Sequence, residues 1–113
     1  VMSSASGVFS MADARSHMEK LSKDPDFDSS FSQIADFTQV TRIELSPDDV
    51  RILAQRSLFS PDSRRAFIVS NELAYGLARM FEILRELAGE TGIGVFRTLE
   101  EALDWVLSKS ANA

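Results

Sequence analysis

Short apolar runs and longer segments of helical periodicity alternate regularly from residue 32 to residue 108. No other feature restricts the fold as much. Strand, helix and strand in succession return the chain to one sheet, so this order predicts an α/β domain with helices packed on a parallel or mixed sheet. Strands are expected at 32–37, 65–69 and 94–96. The run Ala66-Phe67-Ile68-Val69 is nearly continuous and apolar, as suits a strand covered on both faces. Residues 1–9 read as a short strand near 1–5, a turn at Ser6-Gly7, and then Val8-Phe9.

Four helices are expected, at about 11–22, 47–58, 72–88 and 98–108. Met11, Ala14, Met18 and Leu21 share one face of the first. Val50, Leu53, Ala54 and Ser57 point inward from the second. Leu73, Leu77, Met80, Phe81, Leu84 and Ala88 form a stripe on the third, and Leu99, Ala102, Leu103, Val106 and Leu107 define the fourth. Ser10 with Asp13, Ser46 with Asp49, and Thr98 with Glu101 have the spacing of capping boxes, and Ser70 or Asn71 caps the third helix. Pro47 suits a first helical position, where no N–H is needed. A tight connection is expected between Phe37 and Ser46, and loops at 23–30 and 59–63. Gly89, Gly92 and Gly94 end the long helix, and the chain frays from Ser110.

At 113 residues the chain is one domain, and its 44% hydrophobic content suffices for a core. A net charge of −5 makes a nucleic-acid backbone a poor partner. The chain has no cysteine, which removes disulfides, thiol nucleophiles and thiolate metal sites together. The same absence fits a reducing, cytoplasmic location. No apolar run is long enough to span a bilayer, and no signal peptide is visible. The chain opens abruptly at Val1-Met2-Ser3, so an upstream segment is expected.

Four pieces carry a family resemblance: Asp24-Pro-Asp-Phe, Asp36-Phe-Thr-Gln-Val-Thr, Tyr75-Gly-Leu-Ala-Arg-Met-Phe, and Val95-Phe-Arg-Thr-Leu-Glu-Glu-Ala-Leu-Asp-Trp. In these the sequence resembles the SpoIIAA-like branch of the STAS superfamily, the fold of the anti-sigma-factor antagonists. The resemblance covers almost the whole chain. It implies a mixed sheet of four or five strands with about four helices, and a first strand ahead of residue 1. In the antagonists an Asp-Ser-Ser-Gly motif holds a regulatory phosphorylation site on its second serine. Laid on this chain, the motif falls on Glu44-Leu45-Ser46-Pro47, and only Ser46 is retained. Ser46 is thus a helix cap, a regulatory site, or both. Glu44, Asp48 and Asp49 would oppose a phosphate there.

No catalytic motif appears. There is no Gly-x-Ser-x-Gly elbow and no phosphate loop, and Gly92-Ile93-Gly94 precedes a strand and lacks a third glycine. Asp24, Asp26 and Asp28 alternate like the start of a calcium loop. However, Ser29 and Ala35 stand where such a loop needs Gly and Glu, so a solvated acidic loop is expected, with no metal. His17 is the only histidine. It lies near Lys20 and Lys23 with no partner set by a motif, and reads as structural and partly exposed. No catalytic residue and no cofactor is expected.

On the long helix Tyr75, Arg79, Glu82 and Glu86 lie opposite the stripe, with Arg79 in reach of Tyr75 and of Glu82 or Glu86. Gly76, Ile83 and Leu87 form a flank with a glycine in mid-helix, which costs about 1 kcal/mol relative to alanine. Two explanations stand: close packing within the domain, or a contact face for a second chain. Trp105, off the stripe of the last helix, has the same two.

Two functional classes follow. One is a non-enzymatic, STAS-like regulatory or protein-interaction domain of bacterial type, self-associating as a homodimer or binding another protein. The other is a carrier of a small apolar ligand or lipid, because the wider fold group that this chain resembles includes such domains. A large pocket lined by Met11, Met18, Phe67 and Met80 favours the carrier, and a filled core favours the interaction domain.

Overall fold

The computed structural model describes residues 1–55 and 57–108. The elements run β1 (Met2–Ser10), α1 (Met11–Lys23), β2 (Gln33–Glu44), α2 (Pro47–Leu53), β3 (Arg65–Ile68), α3 (Glu72–Leu87), β4 (Ile93–Phe96) and α4 (Leu99–Leu107). The expectation for Ser110 onward lies outside the described residues.

The sheet has four strands in the order β1-β2-β3-β4, and all three pairings are parallel. The expected mixed sheet is therefore corrected. Every step from strand to strand carries a helix, which returns the chain to the end where the previous strand began. An antiparallel pair would need a reversal without that return, and none joins strands among the described residues.

Because every crossover advances one strand in the same direction, right-handed connections put α1, α2 and α3 on one face. Helix α4 packs on the other, over β3 and β4. Strand alternation divides the side chains accordingly. Ile34, Ala66 and Ile68 join Ala102 in an apolar cluster on the α4 face, with Phe96, Trp105 and Val106 against it. Gln33, Ala35, Arg65, Phe67 and Val69 face the other three helices.

Strand β2 is longer than expected. Gln33–Asp36 pair with Arg65–Ile68 of β3, whereas the remainder runs along β1 alone. Residues 38–44, expected within a tight connection, are strand. Thr38, Val40, Thr41 and Ile43 are β-branched and favour this pairing. Two register shifts each give β2 one extra residue opposite β1, between Ser4 and Ser6 and between Gly7 and Val8. At the first, Asp36 Oδ1 accepts from the amide (2.8 Å) and the hydroxyl (2.6 Å) of Thr38. The second involves Gly7, at φ 66°. The expected turn at Ser6-Gly7 is thus an irregularity inside one continuous strand.

The caps place the helices. Ser10 and Ser46 form complete capping boxes with Asp13 and Asp49, Asn71 caps α3, and Thr98 caps α4. Helix α2 stops at Leu53 instead of reaching 58. Ser57 instead accepts from the Phe59 amide and from Arg65. Hydroxyls that bond local backbone in this way compete with helix continuation.

Candidate functional site

Helix α1 leans on β1, and α2 leans on α3. Between these two pairs, above β2 and β3, lies a cavity of about 360 Å³. Small side chains keep it open: Ala5, Ala14, Ala35, Ala74 and Ala78 all face it. Its aromatic wall is a row of rings. Phe9 meets Phe37 at 5.1 Å between centroids, Phe37 meets Phe67 at 6.1 Å, and Phe67 meets Phe81 edge-on at 5.7 Å. Such contacts hold rings in preferred geometries, so this wall is built to keep its shape. The volume sits near the lower end of the roughly 300–1,000 Å³ typical of small-molecule sites.

One end of the cavity is polar. It lies at the N-terminal ends of the strands, where Gln33 opens β2 and Arg65 opens β3. Arg65 Nε donates to Gln33 Oε1 at 3.2 Å. Its Nη1 donates to Ser57 Oγ at 3.0 Å and to Glu90 Oε2 at 3.2 Å. Glu90, only 1% exposed, also accepts from Arg85 Nε at 2.9 Å, and Arg85 Nη1 donates to the Ala54 carbonyl at 2.9 Å. Burial pushes the Arg65 guanidinium below its usual range, an effect that Glu90 opposes and Arg85 reinforces. The guanidinium remains a cation.

The end of α3 explains how Glu90 arrives there. Gly89 takes φ 101°, a left-handed conformation that favours glycine. The Gly89 amide donates to the Glu86 carbonyl and the Glu90 amide to the Arg85 carbonyl, the pattern of a Schellman motif. That turn folds Glu90 back beneath the last turn of α3.

His17 lies half-buried beside this cluster and lines the same cavity. Its Nε2 is 3.3 Å from Ser3 Oγ and 3.5 Å from Gln33 Nε2. Burial lowers its pKa first, and the charges of Arg65 and Lys20 lower it further. At neutral pH it is therefore an uncharged imidazole that gives or takes a hydrogen bond.

The other singled-out residues lie elsewhere. Ser46 is exposed beyond the end of β2, where its Oγ accepts from the Asp49 amide at 3.1 Å. Gly76 does not mark close packing: a Cβ placed there meets nothing within 4 Å. The expected stripe of α3 is rotated, with Ala74, Leu77, Ala78 and Phe81 lining the cavity while Leu73 and Ala88 are exposed. Ile83 and Leu87 are exposed as well. Arg79 pairs with Glu82 at 2.6 Å, and Tyr75 lies under Arg97, whose guanidinium is 4.7 Å from the ring centre. Trp105 packs on the α4-face cluster, 5.3 Å from Phe96. A Cβ at Gly94 would come within 2.8 Å of the Phe96 ring and 3.3 Å of Trp105, so that glycine makes room for the pair. In the acidic loop, Asp24 and Asp28 accept from the amides of Asp26 and Ser30.

Sequence reasoning missed Arg65, Arg85, Glu90 and Gln33. A signal existed: Arg65 and Gln33 each stand at the head of an apolar strand, and Glu90 follows the glycine that ends a helix.

Comparison with protein-family models finds no match. Comparison with curated proteins finds none either. Among solved structures, the chain is similar to an uncharacterized protein from the DUF3478 family of Shewanella loihica PV-4, which has a SpoIIAA-like fold. The TM-score is 0.54 at 20% identity, over 91% of this chain and 80% of that one. The chain has a SpoIIAA-like α/β fold. Among the described residues, no helix is long and apolar enough to cross a membrane.

Proposed function

We propose that this SpoIIAA-like domain binds a small, mainly apolar molecule between the sheet and α1–α3. The observation that carries the proposal is the cavity itself, about 360 Å³ under an aromatic wall. Met18 and Phe67 line it as a carrier would require, although Met11 and Met80 do not. Protein cores normally close-pack, so an opening of this size beside buried charges calls for an occupant. The test is titration with the neutral apolar dye N-phenylnaphthylamine, whose fluorescence rises in apolar surroundings. Wild type is expected to bind it. Ala35→Leu, which fills the cavity from β2, is expected to weaken binding by roughly tenfold, or about 1.4 kcal/mol. Absence of binding, or equal binding by the variant, would sink the proposal.

A second use of the surface has its own support. Leu73, Gly76, Ile83 and Leu87 line one exposed stripe of α3, and Leu87 is 81% exposed. Such a stripe suits self-association, or the protein contact of a non-enzymatic regulatory domain. Ile83→Glu is expected to turn a dimer into a monomer in sedimentation. A wild type already monomeric at high concentration counts against this use.

A further inference from the structure

The buried ion cluster is unbalanced. Arg65 and Arg85 bring two positive charges to one carboxylate, Glu90, leaving one positive charge in excess. Arg65 is only 9% exposed. Its Nε and Nη1 are fully engaged with Gln33, Ser57 and Glu90, but Nη2 takes no hydrogen-bond partner among the described residues. No fully buried side-chain nitrogen or oxygen among these residues lacks a partner. Nη2 therefore keeps some exposure, and Arg65 is one of the residues that line the cavity.

Two acids line the cavity, and neither is placed to balance this charge. Asp13 is engaged by the amide and hydroxyl of Ser10, in the capping box at the end of β1. Asp36 is engaged by Thr38, three residues along β2 from Gln33, or roughly 10 Å at strand rise. The cavity is thus polarised along the strands. Its cationic end holds Arg65, Gln33, His17 and Ser3, and its acidic positions lie toward the C-terminal ends.

We propose that the ligand of this cavity is an amphiphilic anion, an aliphatic monocarboxylate, whose carboxylate accepts from Arg65 Nη2 while its chain lies along the Phe37–Phe67–Phe81 wall. This rests on the proposed ligand-binding role and adds the chemistry of the head group. A buried guanidinium with two free N–H groups gives strong charge-assisted bonds to a carboxylate. An alcohol of the same length gains no charge attraction. The neutral imidazole of His17 and the Ser3 hydroxyl are close enough to the cluster to support a head group that fills this end.

The experiment displaces bound N-phenylnaphthylamine with decanoate and with decanol. Decanoate is expected to displace the dye from wild type at roughly tenfold lower concentration or better, the scale of one hydrogen bond to a charged group. Arg65→Lys keeps the charge and loses the planar fork, and is expected to lose most of that preference. If decanol matches decanoate in wild type while both displace the dye, the head-group assignment is overturned and ligand binding stands. If the dye does not bind wild type at all, both fall. Should Arg65→Lys fail to fold, the comparison of the two ligands on wild type decides alone.

Discussion

The two faces of the sheet are built to different rules. On the α4 face, Ala66, Ile68 and Ala102 have no exposure at all, and Phe96, Trp105 and Val106 close over them. On the opposite face three helices cover a cavity, two arginines and a glutamate are buried, and a histidine sits half-buried. The first face loses free energy whenever an atom is added or removed. The second keeps charges out of water and leaves space unfilled, both of which cost stability. That contrast assigns the fold's tight packing to one side of four strands and the proposed binding site to the other.

The largest expected effect tests whether the charges hold the open face together. Glu90→Ala leaves Arg65 and Arg85 buried with no carboxylate between them. A loss of about 3–5 kcal/mol is expected in denaturant melts. A loss below about 1 kcal/mol would show that water already reaches the cluster, and the face would then be less dry than its burial suggests.

A paired substitution measures the contrast directly. Ala66→Leu adds the same atoms to the packed face that Ala35→Leu adds to the cavity face, and the two alanines lie one register position apart on the neighbouring strands β2 and β3. Ala66→Leu is expected to cost about 1–3 kcal/mol, because the site holds no free volume. Ala35→Leu is expected to cost less than about 1 kcal/mol, since leucine enters existing space. Equal costs would mean that the cavity walls cannot accept a side chain, and the distinction between faces would fail.

Much of this fold was legible in the sequence because its signals are local. Ser46-Pro47-Asp48-Asp49 marks a helix start by chemistry confined to four residues, and the capping box is present. Helix α1 and the capped start of α4 were legible for the same reason. Residues 38–44 were not. Their extension depends on β1, more than 30 residues away in sequence at pairs such as Val40 with Gly7. The parallel direction of the whole sheet is likewise a property of pairings between distant segments. The cavity and its cluster were least legible. Arg65, Arg85, Glu90 and Gln33 come from three elements and a helix-terminal turn, and no spacing in the chain joins them. Leu73 was placed on the wrong flank, and Trp105 was left open between two readings, for a related reason. Periodicity gives the stripe of a helix but not which flank meets the sheet, and small residues such as Ala74 and Gly94 decided that here.

The smallest expected effect concerns His17, the titrating group on the open face. From α1 it meets Lys20, from β3 Arg65, and from β1 and β2 the neutral groups of Ser3 and Gln33. Burial and the two cations lower its folded pKa, while the unfolded chain keeps a value of about 6.5. Below that value the unfolded state binds more protons than the folded state, so stability falls as pH drops from about 6.5 toward the folded pKa. The loss is complete once the folded histidine also protonates. Carboxylates elsewhere add their own acid dependence, so the measurement is a difference: melts of wild type and His17→Gln between about pH 7.5 and pH 5.5. Wild type is expected to lose more stability over that interval than the variant, by less than either substitution effect above. Parallel pH profiles for the two proteins would show that His17 meets water freely, and its place in the polar end of the cavity would lose its electrostatic meaning. A wild type that gains stability relative to the variant on acidification would go further, because it would require an acid to outweigh burial and the charges of Arg65 and Lys20.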